Sequence, residues 1–170
     1  TGKKPSIIHT LSSSEKNIIV VGTIGESTII QQLIKAKKIN ADSLKGKWEA
    51  YQIKIIQHPF KGIDNALIIV GSDKRGAAYG VLDLSRQMGI SPWYWWEDVP
   101  VKKKKEIYVA KNIFEQDRPL VKYRGIFIND EAPAFSGWTK EKFGGVNHLV
   151  YEKMFELLLR LKANYLWPAM

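Results

Sequence analysis

Short aliphatic runs bounded by turn formers recur along this chain and alternate with segments of helical spacing. That alternation restricts the chain to a layered α/β fold. Ile18-Ile19-Val20-Val21 ends at Gly22 and reads as a strand buried on both faces. Ile29, Ile30, Leu33 and Ile34 then recur at helical spacing, with Glu26 suited to a first turn and Lys35, Lys37 and Lys38 near the C-terminal end, where the helix dipole favours cations. Ser43 to Trp48 is a polar bridge. Tyr51 to Gln57 reads as a strand closed by His58-Pro59, and Ile63-Asp64-Asn65 as a turn into a strand from Ala66 to Val70. A helix follows Gly71, presenting Ala77, Ala78, Val81, Leu82, Ser85 and Met88 on one small apolar face and ending at Gly89. After the aromatic run Trp93-Tyr94-Trp95-Trp96 and the turn at Asp98-Val99-Pro100, Glu106 to Ala110 reads as a further strand.

The pattern restarts after Gln116-Asp117-Arg118-Pro119, a polar stretch in which proline disfavours a preceding helix. Tyr123 to Ile128 reads as a strand, Asn129 to Gly145 as a long polar loop, Val146 to Leu161 as a helix, and Ala163 to Trp167 as a second strand. This is a parallel β-α-β crossover, of the expected right-handed sense. Two strands do not make a stable parallel sheet, so the economical reading is the start of an eight-stranded (β/α) barrel. The expected division is therefore an α/β domain over residues 1–115 and a truncated barrel start over residues 116–170. A start without Met or a signal-peptide core, and an apolar end at Leu166 to Met170, give the same expectation of a fragment.

Composition removes several classes of function. Zero cysteines exclude a disulfide scaffold, cysteine-ligated metal and a thiol nucleophile. No aliphatic run approaches the roughly 20 residues of a membrane helix. His9, His58 and His148 have no metal-ligand spacing, and neither H-E-x-x-H nor G-x-S-x-G occurs. The loop from Gly71 to Gly80 carries Lys74 and Arg75, but Ala77 and Ala78 stand where a phosphate-binding loop needs Lys and Ser or Thr. It reads as a tight turn with close helix-sheet packing, and no cofactor is implied.

The net charge of +9 permits a polyanionic partner, and Lys102 to Lys105 is its densest run. That run is expected in a solvated hairpin connection beside an edge strand, where lysines discourage edge pairing. The excess charge is otherwise scattered, so nucleic acid binding would be weak and non-specific. The Trp93 to Trp96 cluster has two readings: packing at a domain junction, which is favoured, and stacking of one or two rings on sugar or bases. In an extended segment Trp93 and Trp95 would face one way and Tyr94 and Trp96 the other. A non-catalytic carbohydrate-binding module using Trp93 and Trp95 is one alternative function. The sharpest constellation is Asn129-Asp130-Glu131, immediately after a strand and at what would be the mouth of a barrel. From spacing alone, a cap for the long loop and an active-site group are equally consistent.

Four blocks carry a family resemblance: Ser72-Asp73-Lys74-Arg75-Gly76 through Tyr79-Gly80; Ser91-Pro92-Trp93-Tyr94-Trp95-Trp96 with Asp98-Val99-Pro100; Arg124-Gly125-Ile126-Phe127-Ile128-Asn129-Asp130-Glu131; and Phe155 through Lys162-Ala163-Asn164-Tyr165-Leu166-Trp167-Pro168-Ala169-Met170. Together they resemble glycoside hydrolase family 115, over most of the chain from about Ala66. Ala77-Ala78 departs from the bulkier hydroxyl and aliphatic pair expected there. The resemblance implies an α-glucuronidase that removes glucuronic acid, or its 4-O-methyl form, from xylan or related glycans with inversion. It implies a mixed-sheet α/β domain of the type that precedes glycosidase barrels, then a (β/α)8 barrel. On the matching motif, the resemblance implies that Asp130 and Glu131 bind the uronic acid or support the catalytic pair, with Asn129 as a hydrogen-bonding neighbour. The main acid and base lie beyond residue 170. Trp167 either reaches the mouth or plugs the barrel. Arg124 and Arg160 are expected to pair with acidic neighbours, and Lys74 and Arg75 to lie at the domain junction. The implied partner is a uronic-acid-bearing polysaccharide, without nucleic acid or membrane, a homodimer being compatible; the implied location is secreted or periplasmic.

Overall fold

The structure is a computed structural model and describes residues 1–11 and 15–168. Four strands, β1 (Asn17–Thr23), β2 (Tyr51–Gln57), β3 (Asn65–Gly71) and β4 (Phe114–Asp117), form a mixed sheet in the order β1-β3-β2-β4. β1 runs parallel to β3, and β2 is antiparallel to both β3 and β4. β3 is almost wholly aliphatic because it is central and covered on both faces. Alternate side chains of a strand point to opposite faces, so Ile68 and Val70 join Val20, Ile30, Leu33 and Leu44 in one core. Leu67 and Ile69 join Tyr51, Ile53, Tyr79 and Leu84 in another. Burial of each such large side chain contributes about 1.5–3 kcal/mol relative to exposure.

Helix α1 (Thr28–Lys35) supplies Ile30 and Leu33 to the first core, and α2 (Lys74–Gln87) supplies Tyr79 and Leu84 to the second. Ser27 caps α1 by accepting from the Ile30 N–H at 3.3 Å, so Glu26 precedes the helix instead of occupying its first turn. Asp73 caps α2 through the Gly76 N–H at 2.8 Å. The close packing expected at this turn is present: a Cβ on Gly76 would collide with the carbonyl of Ala50, and one on Gly80 would meet Ile69 and Tyr51. The small residue Ala77 is buried beside them.

The expected strand from Glu106 to Ala110 is an irregular segment with Ile107 and Tyr108 exposed. The fourth strand is instead β4, whose residues Phe114-Glu115-Gln116-Asp117 carry no apolar alternation. It is a short edge strand held by its ladder to β2 and by Gln52 Nε2 donating to Gln116 Oε1 at 3.0 Å. The expected boundary between residues 115 and 116 therefore falls inside a paired strand. Lys102 to Lys105 lie exposed in a loop and flank no hairpin.

Beyond β4 come β5 (Gly125–Ile128), α3 (Phe135–Phe143), α4 (His148–Arg160) and β6 (Tyr165–Pro168). β5 and β6 pair in parallel, from Gly125 opposite Tyr165 to Ile128 opposite Pro168. The described residues thus hold one β-α-β crossover and no closed barrel; Ala169 and Met170, the end of the fourth motif block, lie outside them. Helix α3 occupies part of the stretch expected to be loop and ends at Gly144 in the left-handed region, φ 78°. Asn147 caps α4 by accepting from the Leu149 N–H at 3.0 Å. Val150, Met154, Leu157 and Leu158 form its buried stripe, while Val146, Leu149 and Leu161, expected on the same apolar face, are exposed.

Gly76→Ala is expected to lower stability by about 1–3 kcal/mol through overpacking. Gly137→Ala, in open space within α3, is expected to be neutral or to stabilise by up to about 1 kcal/mol. Urea denaturation of the two variants checks the contrast.

Candidate functional site

The parallel pair β5 and β6 delivers two chain segments to one end of its small sheet. Asn129, Asp130 and Glu131 leave the carboxyl end of β5, beside Pro168 at the end of β6. The Asn129 side-chain oxygen accepts from the Glu131 N–H at 3.3 Å, which turns the chain as it leaves the strand. Asp130 is half-buried, whereas Asn129 and Glu131 are exposed. Among the described residues, neither carboxylate makes an ion pair or accepts a hydrogen bond. Trp167 stands opposite Phe127 in the register, their rings edge to face at 5.9 Å, and is exposed. The four residues singled out from the sequence therefore gather at the carboxyl end of the pair, with Trp167 on one of its faces.

What sets the position of this pair is an ionic cluster that sequence reasoning missed. Glu49, in the left-handed region at φ 55°, precedes β2 and is buried. Its carboxylate accepts from Arg75 at 2.7 Å, from Arg124 at 2.6 Å and from Asn164 at 2.9 and 3.1 Å. Arg124 also donates through Nε to the Lys162 carbonyl at 2.8 Å, and its own N–H bonds the Asn164 side chain at 3.0 Å. Arg124 precedes β5 and Asn164 precedes β6, so one carboxylate of the first unit grips both strands of the second at their amino ends. The advance signals were partial: Arg75, Arg124 and Asn164 fall inside the family motif blocks, with Arg75 expected at the junction and Arg124 expected to pair with an acid, but nothing marked Glu49 as that acid.

A second cluster surrounds Lys162. Its ammonium donates to Tyr51 at 2.8 Å and to Asp117 at 2.6 Å and lies 3.7 Å from the buried Asp83. Asp83 is further bound by Arg86 at 2.9 Å. The Tyr79 hydroxyl donates to the Ala163 carbonyl at 2.9 Å. Burial pushes the Tyr51 phenol up to about 12, against the opposing effect of Lys162. Burial also opposes the charge on Glu49, but hydrogen bonds from Asn164, Arg124 and Arg75 outweigh it and hold the carboxyl below its ordinary range. Asp83 behaves alike, burial being outweighed by Arg86 and Lys162.

The cations expected at the junction are already engaged. Arg75 is held by Glu49, and the exposed Lys74 lies 3.5 Å from Glu26. A cleft of about 540 Å³ opens here between Trp48, Lys74, Lys122 and Tyr123. Asp73 occupies the amino-terminal amides of α2 where a phosphate oxygen would sit, and its other oxygen accepts from the Glu49 N–H at 2.7 Å. That filled cradle agrees with reading the Gly71 to Gly80 segment as a packing turn. Arg160 pairs with Glu156 at 2.9 Å, and Glu156 also accepts from Tyr94, so both Arg124 and Arg160 serve acidic neighbours as expected.

An α/β unit is thus clamped to a parallel crossover whose first strand is followed by Asp130 and Glu131. The profile of Glycosyl hydrolase family 115 matches residues 116–170. A solved family GH115 4-O-methyl-α-glucuronidase, described as having specificity for decorated arabinogalactans, is similar over 89% of this chain at 39% identity and a TM-score of 0.75. The chain belongs to glycoside hydrolase family 115. It spans 20% of the length of that solved relative. No curated protein matches it.

Arg124→Ala is expected to cost about 1.5–3 kcal/mol, the range for a hydrogen bond to a charged group, because Glu49 loses one donor and keeps Arg75 and Asn164. Glu49 and Asp83 have native pKa values below their unfolded ones. Their contribution is therefore complete above the ordinary carboxylate range near pH 4 and is lost as pH falls through the lowered values. Denaturant midpoints measured from pH 6 to pH 2 should fall for the wild type, and Glu49→Gln should flatten that fall.

Proposed function

We propose that this chain is the amino-terminal part of a longer α-glucuronidase, which removes glucuronic acid or 4-O-methylglucuronic acid side chains from xylan-type polysaccharides with inversion at the anomeric carbon. The observation that carries the reading is the 39% identity, over 89% of the chain, to a family GH115 4-O-methyl-α-glucuronidase. In this reading the domain preceding the barrel runs through β4, which completes its sheet at Asp117 rather than stopping at residue 115, and the residues after it begin a (β/α)8 barrel in which β5 and β6 are the first two strands. Barrel enzymes place their chemistry at the carboxyl ends of the strands. Asn129, Asp130, Glu131 and Trp167 lie at or near that end of β5 and β6.

Inversion uses two carboxyl groups about 6.5–9.5 Å apart, one protonating the leaving oxygen and the other activating water on the opposite face of the sugar. Those two groups belong to strands after residue 170. The half-buried Asp130 accepts hydrogen bonds from the uronic acid hydroxyls or steadies the catalytic pair, Asn129 orients the turn, and Glu131 adds a more exposed acceptor. Trp167 offers an apolar ring face at the same end. Arg124 and Arg160, being held by Glu49 and Glu156, do not clamp the substrate carboxylate. Hydrolysis of this kind requires no cofactor. Its polymeric substrate fits a secreted or periplasmic enzyme, and a homodimer is compatible with it.

Release of glucuronic acid from glucuronoxylan, and from a decorated arabinogalactan, is expected from the full-length protein and not from these 170 residues alone. Turnover by the shorter chain would sink the division proposed here. Asp130→Asn in the full-length protein is expected to lower kcat/KM by about 100-fold. Unchanged kinetics would remove Asp130 from the site.

A further inference from the structure

Residues 92–96 form a turn, so their rings do not alternate between two faces as in a strand. Two of them are anchors. The Tyr94 hydroxyl donates to Glu156 at 3.1 Å with the Arg160 guanidinium over its ring, and Trp95 is set edge-on against Trp96 and Trp138 with the Lys153 ammonium 5.6 Å from its ring. Trp96 and Trp138 are arranged differently. Their centroids are 5.7 Å apart with planes 30° apart, and both side chains are half-buried. Phe135 continues the row, 6.0 Å from Trp138 and again at 30°. Trp96 and Trp138 line a cleft of about 450 Å³, with Asp98 and Lys142 also on its wall. That volume is within the range of small-ligand sites.

We infer that this cleft binds neutral sugar units of the polysaccharide main chain, outside the position of the uronic acid that is removed. Trp96 and Trp138 both border the open space of the cleft, although Trp138 is also packed against Trp95, Phe135 and Phe143, and the C–H face of a pyranose is apolar while its rim carries hydroxyls. Trp96 and Trp138 take the face. Asp98 accepts from the hydroxyls, and Lys142 donates to them. Among the described residues the exposed Lys142 is the sole cation lining the cleft, and it lies 3.4 Å from Glu141, which disfavours a polyanion such as nucleic acid. Only Ala132, Pro133 and Ala134 separate Glu131 from α3, so the helix carrying Trp138 grows directly out of the loop that carries Asp130. A glycan whose side chain reaches that loop has its main chain within easy reach of the cleft. This ligand assignment rests on the proposed polysaccharide-cleaving function; the cleft itself does not.

The test is affinity electrophoresis of the full-length protein in gels containing xylan stripped of its uronic acid side chains. Trp96→Ala and Trp138→Ala are expected to weaken retardation about tenfold. The same variants should lower the ratio of kcat/KM for polymeric glucuronoxylan to that for a short uronic-acid-capped oligosaccharide. Because loss of Trp138 also removes packing around α3, the exposed-residue variants Asp98→Ala and Lys142→Ala provide a second reading, with an expected two- to threefold loss of retardation. Wild-type retardation in all four variants, or equal retardation by single-stranded DNA, would overturn the inference. If the protein releases no glucuronic acid from any substrate while the variants still lose retardation, the cleft stands and the enzymatic reading falls.

Discussion

The Glu49 carboxylate is removed from water and receives hydrogen bonds from Arg75, Arg124 and Asn164. Burying a lone carboxylate costs several kcal/mol, and only close, well-aligned donors offset that. Here the donors come from three places: the start of α2, the residue before β5 and the residue before β6. Meeting the needs of one buried charge therefore fixes the α/β unit against both strands of the crossover. The positive φ of Glu49 turns its side chain into this position while its N–H bonds Asp73, the residue that starts α2. The cap of a helix and the seat of a second sheet are thus parts of one hydrogen-bonded cluster.

The Lys162 cluster, adjacent to the first through the Arg124 bond to the Lys162 carbonyl, repeats the principle. Lys162 follows α4, itself at φ 57°, and reaches Tyr51 on β2 and Asp117 on β4. Tyr79 on α2 takes the carbonyl of the next residue, Ala163. Three successive residues before β6 are consequently bonded either to the first sheet and its helix or to Glu49. A two-stranded parallel sheet has little stability of its own, and these bonds supply the constraint that further strands would otherwise give.

The aliphatic framework was legible in the sequence because burial leaves a periodic trace. Tyr51 to Gln57 and Ala66 to Val70 lie where their runs put them, and the crossover from Tyr123 to Trp167 follows from the change to helical spacing after Val146. Elements held by backbone or ionic bonds left no such trace. β4 has a polar sequence and is a strand because β2 offers it an open edge. Glu106 to Ala110 has the composition of a strand, yet it pairs with no edge of the sheet. Glu49 follows Ser43 to Trp48, the stretch read as a polar bridge, and its partners lie 26, 75 and 115 positions away. The aromatic run was read as extended, whereas Ser91 accepts from the N–H groups of Trp93 and Tyr94 and turns it. Asn129 to Glu131 fall at the carboxyl end of their strand as the motif implied, because a strand end needs only local sequence to be seen.

Burial of the Glu49 carboxylate also makes this junction less sensitive to the ionic strength of the surroundings than an exposed pair would be. At physiological salt, charges in water are screened beyond about 8 Å, and exposed pairs such as Lys45 with Asp42 or Lys74 with Glu26 lose most of what they contribute. The bond between Glu49 and Arg124 is largely withdrawn from solvent, with side-chain exposures of 5% and 21%, and is screened much less, whereas Arg75 reaches Glu49 from the open cleft. The relative placement of sheet and crossover therefore depends less on salinity than the surface pairs do, while the basic surface around it is free to respond.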